Sequence, residues 1–334
     1  MPFSRIEYVH GGVHLPRLGL WLDPSRPKAG AVFVSHAHSD HTAAHRSVIL
    51  SAPTAHLMRL RLGGDRTEHC LSFGKATEFH AGEIPFRLTL LPAGHILGSS
   101  MAYIEAGGQS LLYTGDFKLR SGLSCEPCQL RPADILIMET TFGRPHYRLP
   151  DPTQTWQALA DFCHETLAAG ATPVLMAYSL GKTQEVLAGL KTTGLTFALH
   201  EQAHLMTQAY EAHGVSFPAY ACFDGSELDG KVLIWPPAAL RSKLLKGLPR
   251  LRTAAITGWA MDASCRFRMK ADTAFALSDH ADYPELLEAV KQVNPSQVWT
   301  LHGSAADFAD SLRQHGYQAA PLSQPDQLSL ILGC

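Results

Sequence analysis

From the start of the chain to about residue 140, short apolar runs alternate with Gly, Pro and Asp breaks, a spacing that predicts buried strands. The clearest runs lie at 30–35, 86–91, 110–113 and 134–138. From about 152 the period lengthens, and a helix is predicted over 153–169. Asp151 or Thr153 would cap it, and Gly170 stands just past its end. A strand at 173–177 runs into a helix start at Ser179. Strand and helix then alternate through 195–235, which predicts an inserted α/β unit. Pro284 opens a helix over 284–292, a strand follows at 297–301, and a last helix covers about 305–315. No internal repeat and no low-complexity linker interrupts this order.

Composition sets the frame. The chain has 334 residues, 46% hydrophobic and 17% charged, enough apolar material for two domains and too much for a disordered chain. No apolar run approaches the roughly 18 residues of a membrane span. Residues 1–12 lack a basic segment followed by an apolar one, so no signal peptide is expected. The seven cysteines are an odd, scattered set, which predicts a reduced, cytoplasmic protein. Cys125 and Cys128 form a single CxxC, and a zinc ribbon would need a second pair, so the expectation is two loop cysteines. Net charge is −2, so any binding of nucleic acid must use a local patch. One candidate exists. Residues 231–270 hold nine Lys or Arg (231, 241, 243, 246, 250, 252, 266, 268 and 270) against one acid, Asp262. That stretch reads equally as a solvated surface or as a track for phosphates.

The 18 histidines acquire meaning through spacing. His36, His38, Asp40 and His41 follow an apolar strand within six residues. Four ligand-type side chains packed so densely cannot all reach one ion without strain, but they can serve two neighbouring ions. The same grammar recurs at His95, Asp116 and His302, each just after an apolar run, with Gly115 letting the backbone approach closely beside Asp116. Several strands ending in ligands imply one edge of a sheet, where loops build a site on a rigid scaffold. His200 and His204, four apart on a helical stretch, read as a surface face, and His45 and His146 are left open as residues near the site entrance.

The HxHxDH run, followed by a His, an Asp and a late His, resembles the metallo-β-lactamase superfamily. The segments around Glu139, His280 and His302 resemble the three signature motifs of its β-CASP nucleic-acid-processing group. Tyr178-Ser-Leu-Gly-Lys182 and Thr257-Gly-Trp259 resemble the DNA-processing branch that includes Artemis. Segments 20–24, 92–99 and 139–151 resemble the bacterial ligase-associated DNA damage response exonucleases, and this likeness runs over nearly the whole chain. One position departs. His302 stands where the Artemis branch usually has Val, and histidine there is typical of RNA-processing members such as RNase J.

The resemblance implies a metallo-β-lactamase αββα sandwich from residues 1–150 and 271–334, with an inserted β-CASP α/β domain at 151–270. It implies two divalent ions, Zn or Mn: one on His36, His38 and His95, the second on Asp40, His41 and His302, with Asp116 bridging. His280 becomes the candidate general acid, Glu139 its hydrogen-bond partner, and Asp23 a support for the ligand loop. Ser179, Gly181 and Lys182 sit at a strand-to-helix turn and are expected to hold a terminal phosphate. The implied activity is DNA exonuclease, 5′→3′ on single strands, in repair beside an ATP-dependent ligase and a helicase, with no membrane partner. An RNase J-like RNA nuclease is the first rival, and a non-catalytic nucleic-acid-binding subunit the second. Trp235, Trp259 and Phe267 are the candidates for base stacking.

Overall fold

The computed structural model describes residues 1–322 except 226, 227, 229, 241 and 249, and of Lys246 only the main chain. Arg241 and the Lys246 side chain, two members of the basic stretch, therefore lie outside the described residues. The chain forms two compact units: Met1–Tyr147 with the segment that returns at His280, and Arg148–Asp279.

The first unit contains two sheets. One runs in chain order through Glu7–Val9, Gly12–Leu15, Leu20–Leu22, Ala31–Phe33, Ser47–Leu50 and Thr67–Cys70. The other has the order Ala319–Pro321, Gln297–Leu301, Ile135–Glu139, Gln109–Tyr113, Ser100–Ala106, Phe86–Pro92 and Thr77–Phe79. Period-2 alternation decides what each face of the second sheet meets. Leu88, Leu90, Ile104, Leu111, Tyr113 and Ile137 pack against Leu15, Leu20, Leu22, Phe33 and Ile49 of the first sheet. Their neighbours Leu91, Met101, Leu112, Leu136 and Met138 point the other way, into a second core.

Helices Tyr283–Val293 and Ala305–Gln314 fill that second core with Leu286, Val290 and Val293, and with Phe308 and Leu312. Spacings of three and four residues put these side chains on one helical face. The result is two facing sheets with helices on the outer face of the second, in keeping with the sandwich that the family resemblance implies. Burying each large side chain here is worth about 1.5–3 kcal/mol.

The sheet topology also places the chemistry. Gln109–Tyr113, Ile135–Glu139 and Gln297–Leu301 run parallel. Phe86–Pro92 points the same way, because two antiparallel steps through Ser100–Ala106 restore its direction. The loops carrying His95, Asp116 and His302, and the last strand residue Glu139, therefore leave the same edge of the sheet.

The second unit is built on a parallel sheet in the order Tyr220–Cys222, Thr196–Leu199, Lys231–Trp235, Thr172–Met176, Leu251–Ile256 and Thr273–Phe275. Both faces are apolar, with Leu175, Val232 and Ile234 on one and Val174, Leu233 and Trp235 on the other. Asp151 caps helix Pro152–Ala168 by accepting from the Thr153 amide at 2.7 Å. The chain leaves this unit later than the sequence pattern suggests. Strand Thr273–Phe275 pairs with Leu251–Ile256, which keeps 271–279 in the insert.

Candidate metal centre

The ligand loop starts where strand Ala31–Phe33 ends, and Asp23 anchors it. Asp23 is buried in the left-handed backbone region at φ 45°, a conformation uncommon for residues other than glycine. Its Oδ1 accepts from the Ser35 amide at 2.7 Å. Its Oδ2 accepts from Ser35 Oγ at 2.5 Å, His41 Nδ1 at 3.0 Å and the Tyr113 hydroxyl at 3.0 Å. Because Ser35 Oγ donates to Asp23, it accepts from His36 Nδ1 at 2.9 Å. Both imidazoles thus hold a proton on Nδ1 and aim Nε2 into the site, the arrangement that prepares a histidine for a metal.

Four ligand atoms converge there. His36 Nε2 lies 3.0 Å from His38 Nδ1, and His95 Nε2 lies 3.1 Å from the same atom. Asp116 Oδ2 is 3.6 Å from His36 Nε2, and the four groups all lie within 4.8 Å of one another. On the other side of Asp116, His41 Nε2 sits 3.4 Å from Oδ2 and 3.6 Å from Asp40 Oδ2. The His302 ring stands edge-on to His41, centroids 5.8 Å apart, with its backbone at φ 57°. Thr140 Oγ1 fixes that turn by donating to the carbonyls of Leu301 at 2.9 Å and His302 at 2.7 Å.

The electrostatics suit a cation. Burial, then the neighbouring His41, His95 and His38, hold the His36 pKa well below its ordinary value, so its ring is neutral and offers a lone pair. Burial and then His41 lower His302 as well. Burial alone would raise Asp116, but His41 and then His280 outweigh it and keep the carboxyl well below the usual range. Burial alone would likewise lower His41, yet Asp116, Asp40 and Asp23 together lift it well above 6.5. The Asp116 and Asp40 carboxylates, 3.4 and 3.6 Å from His41 Nε2, thus make this side of the site favourable to a cation. The imidazoles of His36, His38 and His95 converging on the Asp116 carboxylate form a donor set that fits Zn²⁺, with Mn²⁺ suited to the oxygen-richer side.

Beside this cluster, His280 Nδ1 donates to Glu139 Oε1 at 2.8 Å. Glu139 is buried and held by the amides of Phe117 at 3.2 Å and Thr141 at 3.1 Å. Asp116, Glu139 and His280 form a second compact group of ligand-type atoms.

Comparison with known proteins accords with this picture. Residues 266–320 match the family described as the Zn-dependent metallo-hydrolase RNA specificity domain. An RNase J-like protein of Methanocaldococcus jannaschii is 30% identical over 180 residues, 47% of this chain and 42% of that protein. The chain belongs to the metallo-β-lactamase superfamily, in its β-CASP group. A protein of Opitutus terrae named "Probable DNA ligase" is 49% identical over 331 residues, 99% of this chain but 32% of that protein. The chain thus spans about a third to two-fifths of the length of these relatives. A solved protein of unknown function from Enterococcus faecalis shares the fold, with TM-score 0.55 and 15% identity over 88% of this chain and 79% of that one. The matched family is described as a Zn-dependent metallo-hydrolase domain, and the histidine and aspartate clusters of this chain are suited to divalent metal. No helix among the described residues is long and apolar enough to cross a membrane.

The β-CASP insert treats the expected phosphate-binding turn differently. Helix Lys182–Gly189 starts three residues later than the sequence pattern suggests, with Gly181 as its cap at φ 86°. The Gly181 amide donates to Gln184 Oε1 at 2.7 Å, so it is already satisfied. Lys182 is buried, and its Nζ donates to Leu277 O at 2.9 Å and Asp279 Oδ1 at 2.8 Å. Its charge is directed inward to Asp279, and Ser179 alone of the three is partly exposed.

His45 is buried too, accepting from the Lys28 amide and contacting Pro24 O, while His146 is exposed against Tyr147. Cys125 donates to Gly94 O at 3.4 Å, and burial pushes the Cys128 thiol up to about 12. No cysteine joins a metal-type cluster among the described residues. Sequence reasoning passed over Ser35, Tyr113 and Thr140. Their one signal is adjacency, since each lies within three residues of a ligand or of Glu139.

Proposed function

We propose that the protein is a metal-dependent DNA exonuclease, acting 5′→3′ on single strands and serving end repair beside an ATP-dependent ligase and a helicase. One observation carries this reading: nearly the whole chain aligns with about a third of a protein named a DNA ligase. A ligase seals only matched, clean ends, and a nuclease that trims strands makes such ends. His36, His38, His95 and Asp116 would hold one ion, and Asp40, His41, His302 and Asp116 the other. When bound, the two ions supply the positive charge that activates water and steadies the phosphoryl oxygens.

The chain's own residues do the rest. Asp116 holds the two halves of the site in register. As the bond from phosphorus to the departing sugar oxygen breaks, that oxygen takes a proton from His280 Nε2. Glu139, fixed by two amides, favours the protonated ring through its bond to Nδ1.

RNA processing is the second reading, favoured by the match to an RNA specificity domain over 266–320, which contains both His280 and His302. The deciding experiment digests single-stranded DNA and matched RNA, labelled at either end, with Zn²⁺ or Mn²⁺ and with chelator. Stepwise DNA loss, abolished in Asp116→Ala and Asp40→Ala, is the expected outcome, and the order of products gives the direction. Preferential RNA cutting or internal cuts would replace the reading by the RNase J-like one. No turnover of either polymer would leave a non-catalytic binding subunit.

A further inference from the structure

The segment that delivers His280 is tied down at three consecutive residues, and the third tie ends on an arginine outside every motif considered above. His280 bonds Glu139, the Ala281 amide donates to Phe117 O at 2.7 Å, and Asp282 Oδ2 accepts from Arg120 Nη2 at 2.8 Å. Asp282 is fully buried and forms a reciprocal capping box with Glu285 at the start of helix Tyr283–Val293. Glu285 Oε2 accepts from the Asp282 amide and Asp282 Oδ1 from the Glu285 amide, each at 3.1 Å. The remaining Glu285 oxygen, Oε1, accepts from the Arg120 amide at 2.5 Å. Arg120 therefore meets both carboxylates of the box: its guanidinium bonds Asp282 and pairs with Glu285 Oε1 at 3.9 Å, and its amide bonds Glu285 as well.

Two buried carboxylates this close repel each other, and a guanidinium is the group that lets them remain side by side. Arg120 also lies four residues after Asp116, on the segment whose Phe117 amide reaches Glu139. One short stretch thus starts with the carboxylate shared by the metal-type clusters and ends with the cation that secures the general-acid segment.

We infer that Arg120 is a positioning residue, holding His280 in register with Asp116 and Glu139 through the Asp282–Glu285 capping box. This rests on the reading of His280 as general acid. A mispositioned acid slows departure of a poor leaving group. It matters little for p-nitrophenolate, which leaves without a proton.

The test compares wild type, Arg120→Gln, Arg120→Lys and His280→Ala on single-stranded DNA and on bis(p-nitrophenyl) phosphate. Bound metal is measured for each protein. Arg120→Gln should lower kcat on DNA about 100-fold with KM and metal content held, and should slow the activated diester far less. Arg120→Lys should recover part of the loss. An independent readout is the proton NMR signal of His280 Nδ1–H, assigned by its absence from His280→Ala. In Arg120→Gln it should shift or exchange away. Equal loss on both substrates, or loss of metal, would overturn the inference. If wild type cleaves no nucleic acid, the functional reading fails. The NMR signal then decides alone, and an unchanged signal in Arg120→Gln overturns the positioning role.

Discussion

At the scale of single residues, the centre depends on side chains that touch no substrate. Asp23 gathers four donors from three residues, and removing it strands the Ser35 amide, the Ser35 and Tyr113 hydroxyls and His41 Nδ1 in a buried site. Asp23→Ala should cost about 3 kcal/mol, since each unsatisfied buried polar group costs about 1–3 kcal/mol and some will find water. It should also weaken metal binding roughly 10- to 100-fold, because His36 and His41 lose their orienting partner. Urea unfolding of the chelated protein and a zinc competition titration measure the two effects separately.

His45 yields a pH prediction at the same scale. Burial holds its imidazole below the ordinary 6.5. A depressed folded value means that its stabilising contribution is complete above about pH 6.5 and is lost as pH falls through the folded value. His45→Gln keeps an acceptor for the Lys28 amide and a donor for Pro24 O but cannot take up the proton. Its Tm should fall less steeply than that of wild type between about pH 7 and pH 5. Parallel slopes in differential scanning calorimetry would refute this.

At the scale of elements, the strands that carry ligands were legible because period-2 runs bounded by Gly and Pro leave few alternatives. The strand at Gln297–Leu301 and the helix after Pro284 lie where the pattern puts them. The turn at Gly181 was not legible, and the reason is sequence distance. Whether Lys182 faces solvent or the interior depends on Asp279, 97 residues away, and no local pattern reports such a partner. Asp23 likewise meets Tyr113 across 90 residues.

The Lys182 pair therefore makes its own prediction. Lys182→Ala leaves a buried Asp279 carboxylate without its cation and should destabilise the protein by about 3–5 kcal/mol. A changed preference for 5′-phosphorylated ends at unchanged stability would instead restore the phosphate-binding role.

Gly115 is the glycine on which an element depends most. At φ 54° it lies so close to Ser35 that a methyl group would meet Ser35 Cβ at 2.6 Å. Gly115→Ala should displace Asp116, so bound metal and activity should fall together while the two cores keep the protein folded. Metal analysis beside circular dichroism checks that outcome.

At the scale of the whole molecule, if the chain acts on nucleic acid as proposed, its net charge of −2 requires that the polyanion be held through a restricted surface. The structure narrows where. Of the three aromatics considered for base stacking, Trp235 is buried, with its indole N–H donated to Ala239 O. Trp259 is only partly exposed, whereas Phe267 is 69% exposed. Arg266 lies 4.7 Å over the Phe267 ring, and Arg268 and Lys270 flank it on the same exposed segment. Arg268 is engaged with Asp262 at 3.1 Å, so Arg266 and Lys270 are the better candidates for phosphate contact.

Stacking one base on an aromatic ring is worth about 1–3 kcal/mol, so Phe267→Ala should weaken single-strand affinity roughly 5- to 150-fold. Arg266→Ala combined with Lys270→Ala should instead flatten the salt dependence, since each lost phosphate contact removes about 0.7 from the log–log slope for single strands. Fluorescence anisotropy on catalytically inactive Asp116→Ala protein, across a salt series, separates the two effects. Loss confined to single strands in Phe267→Ala would assign the ring to base stacking. Equal loss on duplex, or none at all, would mean that the strand is held elsewhere and that the basic stretch is solvated surface.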